Sequence, residues 1–521
     1  MMHPAFPGEG TPLGDAVTAL LRQPDVSRAH WGIAVTALDG TPLYGLNEGQ
    51  FFRPASNAKL FTTAAAMAML GPERKFTTRV LGKLSPDGTV EGDLVLLGAG
   101  DANLASHDLP YVAPALRSKT PQAAPQLSDL AAMADQIVAK GVRHITGNVV
   151  GDDTLFPYEP VPQGWDVDDL VWGYGAPVSA LTVADSQLTL RVTPGVITGE
   201  PGHQRFPGAR VELEQFGVPY YTVEARVQTH PAGKASDVEV ERLRGSRVLR
   251  VSGAIAADAK PDVEEVSIDD PAMFAAMALR QMLVERGVNV EGEAAPKHQA
   301  PWQNIGFVAG LRIPDGCVTM YFAGGACGGN HPSPIRAGTV LAEHVSAPLV
   351  DDVVFTAKVS QNLHAELLLH QMGTLFMSGY GSTLDGAQRV RGFATHAGVD
   401  PDDFFFYDGS GLSTHDIVTP RAIAQLLAFA ATQPWFSQWK AALPVAGVDG
   451  SLASRYKDSP LKGKVFAKTG TLGETRALSG YLEAASGKTV IFSVLVDTHA
   501  PGASADREVM DRIVAAIAAA E

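Results

Sequence analysis

Cysteine is almost missing from this chain: Cys317 and Cys327 are the only two in 521 residues, both inside the Gly-rich stretch Gly316 to Gly329. A bridge there would close only a short loop, and two free thiols explain the pair equally well, so no redox compartment is defined. Long apolar runs are missing too. Nothing approaches the roughly 18 consecutive apolar residues of a membrane span, so an integral membrane protein is not indicated. The opening Met-Met-His-Pro-Ala-Phe-Pro shows no basic segment followed by an apolar run. That predicts either a protein that is not exported or one whose leader was removed or lies outside this sequence. Basic residues are outnumbered, 41 Lys and Arg against 56 Asp and Glu for a net charge of −15. Nucleic acid is therefore not expected as a partner, because phosphate binding needs clustered cations.

Several chemistries lack their residues. The 14 histidines include no His-Glu-X-X-His and no Cys/His cluster at zinc spacing, so no metal and no cofactor is expected. Gly98-Ala99-Gly100 lacks the third glycine of a dinucleotide fingerprint. Asp408-Gly409-Ser410-Gly411 has aspartate where a Gly-X-Ser-X-Gly nucleophile elbow requires glycine, and no Walker loop is present. No repeat of fixed period and no heptad array occurs.

What is there is an ordinary globular composition, 45% hydrophobic and 19% charged, in a chain long enough for two or three domains. A strand is expected over Trp31 to Leu38, followed by an Ala-rich helix from Ala55 to Leu70 that Gly71-Pro72 ends. Between about 76 and 300 short β segments split by Gly, Pro and Asp dominate, for example Gly92 to Leu97, His144 to Val150 and Ser246 to Gly253, with one helix over Pro271 to Arg286. The stretch 299–345 reads as loop or linker. Helical patterns return at Val354 to Met372 and Pro420 to Ala431. Two apolar strands, Arg476 to Glu483 and Thr489 to Asp497, and a last helix, Ser504 to Ala520, complete the chain. The simplest topology is one αβ domain split in sequence by inserted domains.

Three short motifs carry the chemistry: Ser56-Asn57-Ala58-Lys59, Ser360-Gln361-Asn362 and Lys468-Thr469-Gly470. Ser-X-X-Lys occurs four times, at Ser56/Lys59, Ser437/Lys440, Ser454/Lys457 and Ser459/Lys462. Only the first copy opens a long apolar helix. Residues three apart share a helix face, so Lys59 can reach the Ser56 hydroxyl and act as its base. The helix N-terminus adds positive potential for an anionic intermediate. Read alone, Ser56 is an N-cap and Lys59 a solvated first-turn residue. Ser360-Gln361-Asn362 alone is a polar turn at a helix junction; in the catalytic reading Ser360 relays a proton between Lys59 and the leaving amine, and Asn362 donates to a substrate amide carbonyl. Lys468-Thr469-Gly470 alone is a charged strand end. In the catalytic reading Lys468 and Thr469 hold a carboxylate, and Gly470 lets substrate backbone approach. The Thr471 N–H then joins that of Ser56 in an oxyanion hole. The three motifs in this order favour the catalytic readings.

On these motifs the chain resembles the class C low-molecular-mass penicillin-binding proteins, the D-alanyl-D-alanine carboxypeptidase/endopeptidase family. Further matching phrases are Gly92-Asp93-Leu94-Val95-Leu96-Leu97-Gly98-Ala99-Gly100-Asp101, Gly175-Ala176-Pro177-Val178-Ser179-Ala180-Leu181, Asp408-Gly409-Ser410-Gly411-Leu412-Ser413 and Ser479-Gly480-Tyr481-Leu482. The interval from Lys59 to Ser360 is far longer than in compact enzymes with the same three motifs. The resemblance implies an α+β multidomain fold: a split serine transpeptidase/β-lactamase-like domain over 12–78 and 300–521, an inserted domain over 79–185 and 262–299, and a nested β-rich domain over 186–261.

It also implies a serine DD-peptidase in which Ser56 is acylated, Lys59 is the base, Ser360 and Asn362 form the second motif and Lys468 the third. The implied partners are peptidoglycan stem peptides as substrate and β-lactams as covalent inhibitors. The implied location is periplasmic or otherwise extracytoplasmic, with the export signal outside this sequence. Asp153 stands where the family often recognises the amino end of a diaminopimelate-type side chain, and a turn aspartate explains it as well. Thr414 stands where the family often has arginine, a departure that bears on side-chain carboxylate recognition, and 299–345 is longer than the family needs. Rival readings are a β-lactamase-like or D-amino-peptide hydrolase and a non-catalytic peptidoglycan-binding scaffold. The balance of carboxypeptidase and endopeptidase action stays open, as does the oligomeric state, homo-oligomer included.

Overall fold

The computed structural model describes residues 5–521 except 9, 105–106, 108, 114–115, 118–126, 199–206, 301–337 and 376–380. Cys317 and Cys327, and most of 299–345, lie outside the described residues.

Sequence ends meet in one antiparallel sheet of five strands, in the order Val465–Leu472, Thr475–Glu483, Thr489–Asp497, His30–Ala37, Pro42–Leu46. Its central strands are buried at nearly every position because both faces are covered. Ile33, Val35, Phe492 and Val494 pack toward the terminal helices Pro12–Leu21 and Ala505–Ala520. Ala34, Ile491, Leu495 and Tyr481 pack on the other side with the helices Ala58–Met69 and Pro420–Ala430. The second helix starts cleanly: Thr419 caps it by accepting from the Ala422 N–H, with Pro420 in its first turn.

The middle of the chain forms separate sheets. Strands Ala294–Gln299, Val149–Pro157, Leu94–Leu97, Thr77–Gly82 and Thr339–Val345 make a mixed five-stranded sheet. The helices Ser128–Ala139 and Pro271–Glu285 bury Met133, Ile137, Phe274 and Leu279 in the same core. Two three-stranded sheets follow, one of Gln187–Thr193, Arg210–Leu213 and Asp262–Ser267, the other of Thr222–His230, Asp237–Glu241 and Val248–Ala256.

Two expectations change. Thr339–Val345, read as loop and counted with the segment 300–521, is an edge strand paired with Thr77–Gly82. Its pattern of mostly exposed residues gives no alternation to read. The helix expected over Val354 to Met372 is two helices, Leu349–Val359 and Asn362–Gly373. The break is Ser360, whose left-handed backbone (φ 63°, ψ 38°) turns the chain, and Gln361 caps the next helix by accepting from the Leu363 N–H.

Candidate active site

Ser56 lies in a 3₁₀ turn, Ala55–Asn57, that runs into the helix Ala58–Met69. One turn on, the Lys59 ammonium is 1% exposed. It donates to Ser56 Oγ at 3.0 Å, Asn362 Oδ1 at 2.7 Å and the Ser410 carbonyl at 2.7 Å. All three of its protons are thereby aimed at neutral oxygens. Burial pushes the Lys59 pKa down to about 8, against the opposing pull of Asp408, Glu366 and Asp416. Near neutral pH such an amine can lose its proton and accept the one on Ser56.

The second and third motifs meet here as well. Lys468, fully buried, donates to Ser360 Oγ and to the Thr469 carbonyl, both at 2.9 Å. Burial and the nearby Lys59 charge hold its pKa well below the usual lysine value. Two ammonium groups this close favour one of them being neutral. Ser360 is thus bonded to Lys468, not to Lys59 as a relay between Lys59 and the leaving amine requires. The Asn362 amide donates to the Tyr174 carbonyl at 2.8 Å, leaving its second N–H for another acceptor. A cavity of about 330 Å³ opens on this side, lined by Trp172, Tyr174, Glu264, Ser360 and Asn362.

Thr469 pairs its hydroxyl with Ser451 at 2.6 Å, and Thr471 is exposed at the end of its strand. Gly470 has a different reason from the one its sequence suggests. A Cβ there would sit 2.8 Å from the Pro54 carbonyl and 3.1 Å from the Ala55 Cβ. The missing side chain lets the strand close on the turn that carries Ser56. Asn57 supports the same junction by donating to the Lys468 carbonyl at 3.0 Å.

Asp153 does not join this cluster through any hydrogen bond described for it. It is 3% exposed; Oδ2 accepts from Ser179 at 2.9 Å, and His298 Nδ1 lies 3.0 Å from both carboxylate oxygens. Burial alone would lower the His298 pKa, but Asp153 and Asp270 hold it up at about 9. As placed, Asp153 is occupied by a cation of this chain. Thr414 bonds the Gly164 carbonyl through its hydroxyl at 3.0 Å.

Residues without a sequence-assigned role complete the floor. The Gly409 and Ser410 N–H groups bond Glu366, at 3.0 and 2.8 Å. Asp408 accepts from the Gly411 and Ser413 N–H groups at 2.7 Å and from Trp165 at 2.8 Å. Together they aim the Ser410 carbonyl at Lys59. Gly411 (φ +80°) lies so close to the Ala55 carbonyl that a Cβ would stand 1.8 Å from it. Burial, then the Asp408 charge, raises Glu366 to about 8, and the same two causes, in that order, raise Asp416 well above the carboxylate range. The signal in sequence was Asp408-Gly409-Ser410-Gly411, which is no nucleophile elbow: its backbone is held so that the Ser410 carbonyl meets Lys59.

The profile of the D-Ala-D-Ala carboxypeptidase 3 (S13) family matches residues 13–306 and 327–520. A D-alanyl-D-alanine carboxypeptidase from Actinomadura sp. (strain R39) is 32% identical over 503 residues, 94% of this chain and 81% of that protein. The crystal structure of penicillin binding protein 4 (dacB) from Haemophilus influenzae superposes with a TM-score of 0.74 at 21% identity, covering 96% of this chain and 97% of the other. Its complex with a novel β-lactam superposes at 0.68 and 20% identity, over 97% and 98%. These two structures share the expected α+β multidomain fold with this protein. With the profile spanning nearly the whole sequence and a relative above 30% identity over most of its length, the chain belongs to the D-Ala-D-Ala carboxypeptidase 3 (S13) family.

Proposed function

We propose that this protein is a serine-type D-Ala-D-Ala carboxypeptidase of peptidoglycan stem peptides that β-lactams acylate at Ser56. The observation that carries this reading is the contact of Lys59 Nζ with Ser56 Oγ at 3.0 Å in a site where Lys59 has a lowered pKa. Neutral Lys59 takes the Ser56 proton as Oγ attacks the carbonyl of the penultimate D-Ala. The N–H groups of Ser56 and Thr471 hold the oxyanion. The C–N bond then breaks, leaving an ester on Ser56. The leaving amine takes its proton from the Ser360 hydroxyl, which Lys468 resupplies, a route supported by the 2.9 Å Lys468 to Ser360 bond. Lys59 passes the Ser56 proton through solvent to the now neutral Lys468; neutral Lys59 then takes a proton from the water that attacks the ester and hands it to Ser56 Oγ as the ester breaks.

In the same reading Lys468 and Thr469 receive the terminal carboxylate, Gly470 holds the strand against the nucleophile turn, and the stem peptide runs past Asn362 into the adjoining cavity. Cleavage of a cross-link by the same attack would make the enzyme an endopeptidase. Because Asp153 is already paired with His298, it reads a side-chain amine only if that pair opens. The catalytic unit comprises 12–78 and most of 300–521. Counting 339–345 with the inserted domain over 79–185 and 262–299 instead is supported by its pairing with Thr77–Gly82, and the nested domain is 186–261. Peptidoglycan lies outside the cytoplasmic membrane, so the protein acts in an extracytoplasmic compartment. Among the described residues no helix is long and apolar enough to cross a membrane.

The test is intact-mass spectrometry after incubation with benzylpenicillin, followed by peptide mapping. A lasting adduct on Ser56, lost in Ser56→Ala, is expected. Consumption of the antibiotic without an adduct would indicate a β-lactamase-like hydrolase. No adduct and no consumption would leave a wall-binding scaffold.

A further inference from the structure

We propose that His107, Asp185 and His364 form a binding site for one divalent transition-metal ion, zinc foremost, set directly behind the second motif. The three side chains come from distant segments and converge. His107 Nε2 lies 2.8 Å from Asp185 Oδ2, and His364 Nε2 lies 3.1 Å from Asp185 Oδ1. The potential ligand atoms all fall within 4.8 Å of one another. Tetrahedral zinc with bonds of about 2.0–2.1 Å spaces its ligand atoms about 3.3 Å apart, so small outward shifts would admit the ion. Two imidazoles and one carboxylate are a donor set suited to first-row transition ions rather than to calcium or magnesium.

The surroundings are those of a built site. His364 Nδ1 is 2.6 Å from Asp352 Oδ1, the carboxylate–histidine arrangement that fixes a ligand ring with its other nitrogen toward a metal. The Phe355 ring walls the site, 4.1 Å from the His107 ring centre and 5.1 Å from that of His364. The side chains of His364 and Asp185 are 1% and 9% exposed. Asp185 is presented by three successive non-glycine residues in left-handed conformation, Ala184, Asp185 and Ser186, at φ 49°, 52° and 54°. Such a run persists only where the surroundings impose it, and it gathers at functional positions. Without an ion, a proton held between His364 and its two carboxylates satisfies the same atoms, and the cation has to displace it.

The consequence for the active site is mechanical. Gln361 donates to Asp185 Oδ2 at 3.1 Å, so an ion would join the inserted domain to the turn that presents Ser360 and Asn362. No metal was expected from the sequence, because residues 107, 185 and 364 match no zinc spacing. The experiment uses untagged full-length protein, stripped with a chelator and titrated with zinc sulfate by calorimetry. One saturable site per chain is expected, with a rise in Tm and anomalous scattering at the zinc edge between the three side chains. His107→Ala, at a partly exposed position, and Asp185→Asn are each expected to weaken binding at least about tenfold. Absence of saturable binding in the wild type overturns the proposal, whatever the variants do. So does undiminished binding in His107→Ala, or zinc located elsewhere.

Discussion

Two buried lysines, Lys59 bonded to Asn362 of the second motif and Lys358 two residues before it, differ in their partners. Lys358, in the last turn of Leu349–Val359, meets both oxygens of Asp449 at 2.7 Å and the Leu443 carbonyl at 2.7 Å. Lys59 meets only a hydroxyl, an amide oxygen and a carbonyl, while its carboxylates stand one layer back at Glu366, Asp408 and Asp416. Burial lowers the pKa of both. A direct carboxylate pins the charge of one; neutral acceptors hold the position of the other and leave its proton free to go. The first arrangement fixes a charge within the fold; the second suits the base proposed for Ser56.

The largest effect that would break this contrast is at Lys59. Lys59→Met should slow acylation by benzylpenicillin by about 10²–10⁴-fold, while the Tm falls less than on loss of an ion pair, because no carboxylate in direct contact with Lys59 is stranded. A variant that acylates at the wild-type rate would put the base elsewhere. Next comes Lys358→Met, which leaves the partly buried Asp449 without its cation. A loss of about 2–4 kcal/mol in denaturant unfolding is expected, with the acylation rate of the folded fraction unchanged. A rate loss without a stability loss would erase the distinction between the two lysines.

The smallest effect concerns pH. In the wild type, acylation should rise up to tenfold per pH unit below about 8 and flatten above it, because the amine is mostly protonated below its pKa. The Glu366 carboxylate raises that pKa, so Glu366→Gln should move the midpoint to lower pH. A stopped-flow pH profile checks the direction, and an alkaline shift would contradict it. Because Glu366 is itself raised to about 8, the two profiles should run together well below that pH, part near it and meet again on the alkaline plateau.

The sequence was most legible where one physical demand controlled it. The strands Thr475–Glu483 and Thr489–Asp497 are apolar on both faces because both are covered, and both were read from that run. The motifs were readable as an ordered set, and the structure brings Ser56, Lys59, Ser360, Asn362 and Lys468 together. Legibility failed where two demands compete at one residue. Apolar periodicity continues through Ser360, so a single helix was expected, although the left-handed turn at Ser360 is what aims the second motif. Gly470 was read as clearance for a substrate, while its Cβ position faces the Pro54 carbonyl. The Asp153 and His298 pairing joins two strands far apart in sequence, and no local pattern announces it.

The central sheet pairs His30 with Asp497 and Ala37 with Val490, strands from opposite ends of the polypeptide. During synthesis, then, Ile33 and Val35 have no complete set of neighbours until the last strand has left the ribosome, and the inserted domains can fold while they wait. The pocket that gathers Ser56, Lys59 and Lys468 therefore cannot close before Thr489–Asp497 has been made, long after the helix Ala58–Met69.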